Sequence, residues 1–275
     1  MGFFQIDKEK CERDGICVAE CPMRIIEIKD ASPTPAPVED AERKCIRCGH
    51  CVAVCPHGAF SLAEMKTEDC PPMRKELALS VEHVENFLRS RRSIRTYQDK
   101  AIEREKLEKL LDIARYAPTG SNSQQVKWLA VNSRDGVRSM TALVVDLVRH
   151  MIAEKHPMAE RYSLPRFVKA WEAGTDLISR GAPGLVIAHA PKDYMLAQTD
   201  SSIALTFLDL AAPSFGLGSC WAGFFMMAAS QWPPLQQALA LPEGHACFGA
   251  MMLGYPKYKY HRLPLRKEAG ITWRK

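Results

Sequence analysis

Seven of the ten cysteines in this 275-residue chain fall within its first fifty-five residues, in two runs. The second run, Cys45-x2-Cys48-x2-Cys51-x3-Cys55-Pro56, limits the fold more than any other feature. Three thiolates spaced two residues apart can curl around one face of a cubane iron-sulfur cluster. A cysteine ahead of a proline is instead carried away on a turn and ligates elsewhere. The first run, Cys11-Glu-Arg-Asp14-Gly-Ile-Cys17-Val-Ala-Glu-Cys21-Pro22, repeats the frame with Asp14 where a second cysteine would stand. The spacing therefore predicts two clusters wired crosswise. Cys45, Cys48 and Cys51 would share one with Cys21, and Cys11, Cys17 and Cys55 the other with Asp14.

Residues 3 to 65 resemble a two-cluster bacterial-type ferredoxin. A carboxylate is a harder ligand than a thiolate, so iron held by Asp14 should be labile, and that cluster is expected as 4Fe-4S or, with one iron lost, 3Fe-4S. Zinc sites pair two short Cys-x2-Cys knuckles, which a four-cysteine run ending in Cys-Pro does not resemble. Disulfides suit secreted domains, whereas the opening Met1-Gly-Phe-Phe-Gln-Ile-Asp-Lys has no apolar signal core. Cys70, Cys220 and Cys247 lie outside the pattern and read as small buried hydrophobes. His50 and His57 sit among ligands that are already complete, and read as donors near the cluster sulfurs.

The length allows a small domain and a larger one with its own core, and the cysteine-dense part would lean on its clusters for stability. No apolar run is as long as a membrane span, which points to a reducing cytoplasm. The net charge of +5 comes from the later part of the chain, because the first seventy-five residues are slightly acidic. Its basic residues are dispersed, with no helix or zinc motif presenting them as a stripe, so a nucleic-acid partner is not expected.

The paired prolines in Glu68-Asp-Cys-Pro-Pro-Met-Arg74 mark a stiff connector, and the predicted domains are 1–75 and 76–275. Val81, Val84, Phe87 and Leu88 recur at helical spacing, as do Leu107, Leu110, Leu111 and Ala114. Strands are predicted at Val126–Val131, Gly184–Ala188 and Ala246–Leu253, with helices at Asp135–Glu154, Gln198–Phe215 and Met226–Leu241. Helices among few strands, with no regular alternation and no Gly-x-Gly-x-x-Gly, argue for α+β and against a doubly wound nucleotide fold.

Four segments of the larger domain carry chemistry. Arg91-Arg92-Ser93-Ile94-Arg95 supplies guanidinium forks and a hydroxyl suited to phosphate and ribityl oxygens. Pro118-Thr-Gly-Ser-Asn-Ser-Gln124 is a polar loop after a helix. Gly216-Leu-Gly-Ser-Cys-Trp-Ala-Gly223 lets backbone approach a flat ligand. Gly254-Tyr-Pro-Lys-Tyr-Lys-Tyr-His-Arg262-Leu-Pro-Leu-Arg266 adds cations near the end.

In this order the four segments resemble the nitroreductase-like flavoproteins, over roughly residues 80 to 266. The resemblance implies an FMN-binding α+β fold in a domain-exchanged homodimer, preceded here by the small ferredoxin-like domain. It implies that Arg91, Arg92, Ser93 and Arg95 grip the FMN phosphate and ribityl chain. Ser121 and Asn122 would frame the flavin from the partner subunit. Cys220, Trp221 and Gly223 would pass close to the ring system, and Arg262 or Arg266 would close on the phosphate. Some hydride-accepting members carry a glutamate where Ala222 stands, which weakens any transfer of nicotinamide or nitroaromatic specificity.

The combination predicts an FMN- and iron-sulfur-dependent oxidoreductase passing electrons between clusters and FMN to a small organic acceptor. The donor is open between an external ferredoxin and NAD(P)H. Two other readings stay open: a non-catalytic electron carrier or redox sensor serving a protein partner, and an NAD(P)H-driven reductase with the clusters as exit route.

Overall fold

The structure is a computed structural model and describes residues 3–30 and 32–274. The chain divides into two compact units, one of residues 1–79 with 120–123, the other of 80–119 with 124–275.

In the first unit the duplicated cysteine frame folds as a duplicated motif. Strand β1 (Phe4–Ile6) is followed by α1 (Ile16–Glu20), β2 (Ile26–Glu27) and β3 (Ala36–Pro37). Then come α2 (Ala41–Lys44), α3 (His50–Val54) and β4 (Phe60–Leu62). β1 pairs antiparallel with β4, and β2 with β3. Gly15 and Gly49 stand at matching places ahead of α1 and α3, both at φ 74°, a left-handed turn that glycine adopts without steric cost. The core is small, with Ile25, Ile26, Val52, Phe60 and Leu62 packed beside Cys17, Cys21 and Cys51. So little apolar surface leaves the cysteine sites a share of the stability.

The second unit is built on one antiparallel sheet. Its elements run α4 (Val81–Ser90), α5 (Arg104–Ala114), β5 (Lys127–Val131), α6 (Arg134–Ala153), α7 (Pro157–Arg161), α8 (Pro165–Glu172) and β6 (Gly184–Pro191). There follow α9 (Ala197–Ala211), β7 (Gly218–Trp221), α10 (Gly223–Gln231), α11 (Pro233–Leu239) and β8 (His245–Gly254). The strand order is β5-β6-β8-β7. Alternation along the central strands sorts the core into two layers, since successive side chains leave a strand on opposite faces. Leu185, Ile187, Ala250 and Met252 join the cluster formed with α6 and α10. Val186, Ala188, Met251 and Leu253 join the one formed with α5 and α9. Helices thus cover both faces of an antiparallel sheet, in keeping with the α+β class.

Two elements differ from the sequence expectation. The helix predicted over Met226–Leu241 is two helices, because Trp232 leaves helical geometry ahead of Pro233 and Pro234. The glycine-rich segment, for which no strand was predicted, contributes strand β7, paired with β8 from Gly218↔Gly254 to Trp221↔Met251. Two short helices, α7 and α8, fill a stretch for which no element was predicted. Among the described residues no helix is long and apolar enough to cross a membrane.

Candidate functional site

In the first unit, turns and short helices gather the cysteines into two sets. One pocket is lined by Cys21, Cys45, Cys48 and Cys51, with Phe4 and Phe60 in its wall. A second is lined by Cys11, Asp14, Cys17 and Cys55, beside His57. Cys21 and Cys55 each follow their own helix and cross to the other run's cavity. Among the described residues no three His, Cys, Asp or Glu side chains converge on a point for one metal ion. A four-iron cage instead needs its ligands spread around it, and the two lined cavities fit that demand.

Backbone amides aim at these sulfurs. Arg47 N–H donates to Cys45 Sγ at 3.4 Å and Ala59 N–H to Cys55 Sγ at 3.3 Å. Burial pushes the Cys51 thiol up to about 12 and raises that of Cys17, where the charge of Asp14 adds to the effect. Asp14 Oδ1 accepts from Ile16 N–H at 3.0 Å, which orients the carboxyl group at the start of α1.

The loop Gly120–Ser123 belongs to this same unit. Ser121 and Asn122 both have left-handed backbone, at φ 51° and 53°. The Asn122 amide donates to the carbonyls of Ile46, at 3.1 Å, and Arg47, at 3.0 Å. Both of its hydrogens are thereby engaged by the backbone between Cys45 and Cys48.

In the second unit the arginine segment is strapped to β7. Ile94 N–H donates to the Ser219 carbonyl at 2.9 Å, and the buried Ile94 side chain lies over Gly218, where a Cβ would come within 2.3 Å of it. Only glycine permits that approach. The strap sends the arginines to two cavities. Arg91 and Arg92 line one of about 530 Å³, together with Ser219, Lys259 and the buried Asp209. Arg91 Nη1 lies 3.3 Å from Asp209 Oδ2, and Ser219 donates its hydroxyl to the same carboxylate. Arg92 stands 6.0 Å from the ring centre of Tyr260.

Arg95 lines the other cavity, of about 540 Å³, with Cys220, Trp221 and Gly223. A Cβ on Gly223 would meet nothing within 4 Å, so the space over this backbone is open to a flat group. Ser93, Arg262 and Arg266 line neither cavity, and both arginines lie in the exposed tail after Pro256. Three cations against one acid in the first cavity, and open backbone beside aromatic rings in the second, fit a phosphorylated flat cofactor.

The model of the nitroreductase family matches residues 88–255, most of the chain. The chain belongs to the nitroreductase family. Residues 3–56 match the model of a 4Fe-4S dicluster domain, so this nitroreductase carries an iron-sulfur domain ahead of its catalytic fold. An Archaeoglobus fulgidus protein bearing the name NADH dehydrogenase/NAD(P)H nitroreductase is 27% identical over 172 residues, covering 61% of this chain and 82% of its own. A Bacteroides fragilis nitroreductase solved with bound FMN shares the fold with a TM-score of 0.57 at 24% identity, over 70% of this chain and all but 2% of its own (98%). One from Desulfitobacterium hafniense, also with FMN, gives 0.58 at 22% identity, over 72% of this chain and 100% of its own.

Within this nitroreductase, Ala222 is buried and its N–H bonds to the Ala250 carbonyl at 2.9 Å. The sequence reading missed Asp209, the partner of Arg91. Its signal was present: an acid in an otherwise apolar stripe of α9, beside Leu205, Leu208 and Ala212. Arg180, which also lines the Arg95 cavity, left no comparable trace.

Proposed function

We propose that this nitroreductase-family enzyme exchanges electrons between two iron-sulfur clusters and FMN to reduce a small organic acceptor. The observation that carries the reading is the coexistence, in one chain, of two four-ligand cavities and a nitroreductase fold whose arginine strap opens onto a cationic cavity and an aromatic one. Cys21, Cys45, Cys48 and Cys51 are assigned to one cluster. Cys11, Asp14, Cys17 and Cys55 are assigned to the other, as 4Fe-4S or 3Fe-4S.

FMN is assigned because structural neighbours of this fold are described with FMN bound. Arg91, Arg92 and Ser93 would hold its phosphate and ribityl chain. Arg95 and the backbone of Cys220, Trp221 and Gly223 would border its ring, with Ser121 and Asn122 of the partner subunit framing the flavin and Arg262 or Arg266 closing on the phosphate. When bound, FMN supplies the exchange between one-electron and two-electron chemistry. The chain's part is to fix that group with cations, keep water off its ring with apolar side chains, and hold positive charge where reduction adds negative charge.

A homodimer suits two unpartnered surfaces. α4 exposes Val81, Val84, Phe87 and Leu88, and the tail exposes Tyr258, Tyr260, Leu265 and Trp273. So much exposed apolar surface asks for a covering copy. The cysteines are free, which suits a reducing cytoplasm.

The test is anaerobic: iron, sulfide and FMN are quantified, then flavin absorbance is followed after adding NADPH or NADH, and separately reduced ferredoxin. Bleaching by reduced ferredoxin but not by nicotinamide is expected, with electrons entering through the clusters. Rapid bleaching by nicotinamide would make the clusters the exit route. Absence of FMN from the purified protein would defeat the proposal.

A further inference from the structure

The loop before β6 is built to present one arginine. The Asp176 carboxylate accepts three backbone N–H groups: Ile178 and Ser179 at 2.8 Å on Oδ1, and Gly181 at 3.1 Å on Oδ2. Ser179, nearly without solvent contact, shares a hydroxyl hydrogen bond with the fully buried Thr141 of α6. Between these fastenings Arg180 is forced to φ 58°, and Gly181 follows at φ 62°. A non-glycine residue held in left-handed backbone persists only when its surroundings impose it.

Arg180 is thus held in place while its side chain forms no ion pair or hydrogen bond among the described residues. It faces the same cavity as Arg95, and no aspartate or glutamate lines that cavity. The walls are Tyr162, Trp221 and Phe224 with methionines around them. Flat aromatic walls select a flat ligand, and a guanidinium fork without an acid selects a planar anion. Arg95 is already assigned to the flavin, which leaves Arg180 for the second occupant.

We infer that Arg180 sets specificity in the acceptor cavity, selecting flat conjugated molecules that bear a carboxylate. The inference rests on the function proposed above in giving Arg95 to the flavin and in calling the second occupant the acceptor. Two guanidinium N–H groups meet the two carboxylate oxygens side by side, while the ring lies against Tyr162, Trp221 or Phe224. The methionine side chains let the cavity take rings of different outline, so the carboxylate is the fixed element of recognition.

The experiment uses the full-length protein with its iron and FMN quantified, and titrates benzoate and its neutral counterpart benzamide by calorimetry. Neither probe is reduced, so the readout is binding and not turnover. The parent should bind benzoate about tenfold more tightly than benzamide, the size of one partly exposed charge-assisted contact. Arg180→Ala should erase that preference at unchanged FMN content, and Arg180→Lys should restore part of it. Equal affinity in the parent, or a preference that survives in Arg180→Ala, would overturn the inference. Loss of FMN from Arg180→Ala would overturn it too, by making Arg180 a flavin ligand. FMN missing from the parent would defeat the proposed function, yet the benzoate to benzamide ratio would still decide the role of Arg180.

Discussion

Arg91 and Asp209 form an ion pair inside a cavity whose other charged groups are cations, with Nη1 3.3 Å from Oδ2. The acid is buried and shared with the Ser219 hydroxyl, so it fixes the direction of the guanidinium and leaves the remaining N–H groups for a ligand.

Two roles follow for Arg91, and they can be separated. Arg91→Ala should lower FMN retention at unchanged iron content, and should also destabilise the fold by about 2 kcal/mol because Asp209 is left without its cation. The double variant Arg91→Ala with Asp209→Asn should recover most of the stability and none of the FMN. Denaturant midpoints and flavin occupancy report the two effects. Equal flavin occupancy in parent and variant would remove Arg91 from the site.

Asp14 occupies, in the cavity of Cys11, Cys17 and Cys55, the place that Cys48 holds in the repeated frame. Asp14→Cys should give a cluster that keeps four irons through air exposure, where the parent sheds one and converts to the three-iron form. Iron analysis and electron paramagnetic resonance before and after oxidation decide the matter. An unchanged iron count and spectrum would mean that Asp14 is not a ligand.

Asn122 holds the backbone between Cys45 and Cys48 through two hydrogen bonds, each worth about 1 kcal/mol. Asn122→Ala should let a chelator strip iron several-fold faster from the cluster assigned to Cys45. Asn122→Asp, which has no donors at neutral pH, should do at least as much. The cluster near Asp14 is the internal control. Parent-like release from both variants would show that the two bonds do not steady this loop.

What could be read ahead of the structure follows the range of the interaction that fixes each part. The placing of the cysteines is set by spacing within short runs, so the grouping of Cys11 through Cys55 around two pockets was legible. The central strand β6 was legible because Leu185 to Ala188 are apolar on both faces. β7 was not, since Gly218 and Ser219 have no strand preference and owe their conformation to pairing with β8. The break between α10 and α11 was visible in Pro233 and Pro234, but the apolar period running through them from Met226 outweighed it. Arg180 was out of reach, because its geometry comes from Asp176 and Thr141.

A last prediction concerns acid stability. His189 of β6 and His245 of β8 meet through their Nδ1 atoms at 2.9 Å, so one ring donates and the other must remain unprotonated there. Burial depresses the pKa of His189, and the charges of His245 and Lys127 depress it further. The unfolded chain, with an ordinary histidine pKa of about 6.5, therefore binds a proton more readily than the fold does. The contribution is favourable above that pKa and is lost as pH falls towards the depressed value of the folded state. Between about pH 7 and pH 5 the parent should lose more thermal stability than His189→Asn, which carries no titrating ring at this position. Carboxylates elsewhere contribute equally to both proteins and cancel in the difference. Parallel pH profiles for the two would show that this histidine pair does not couple protonation to folding.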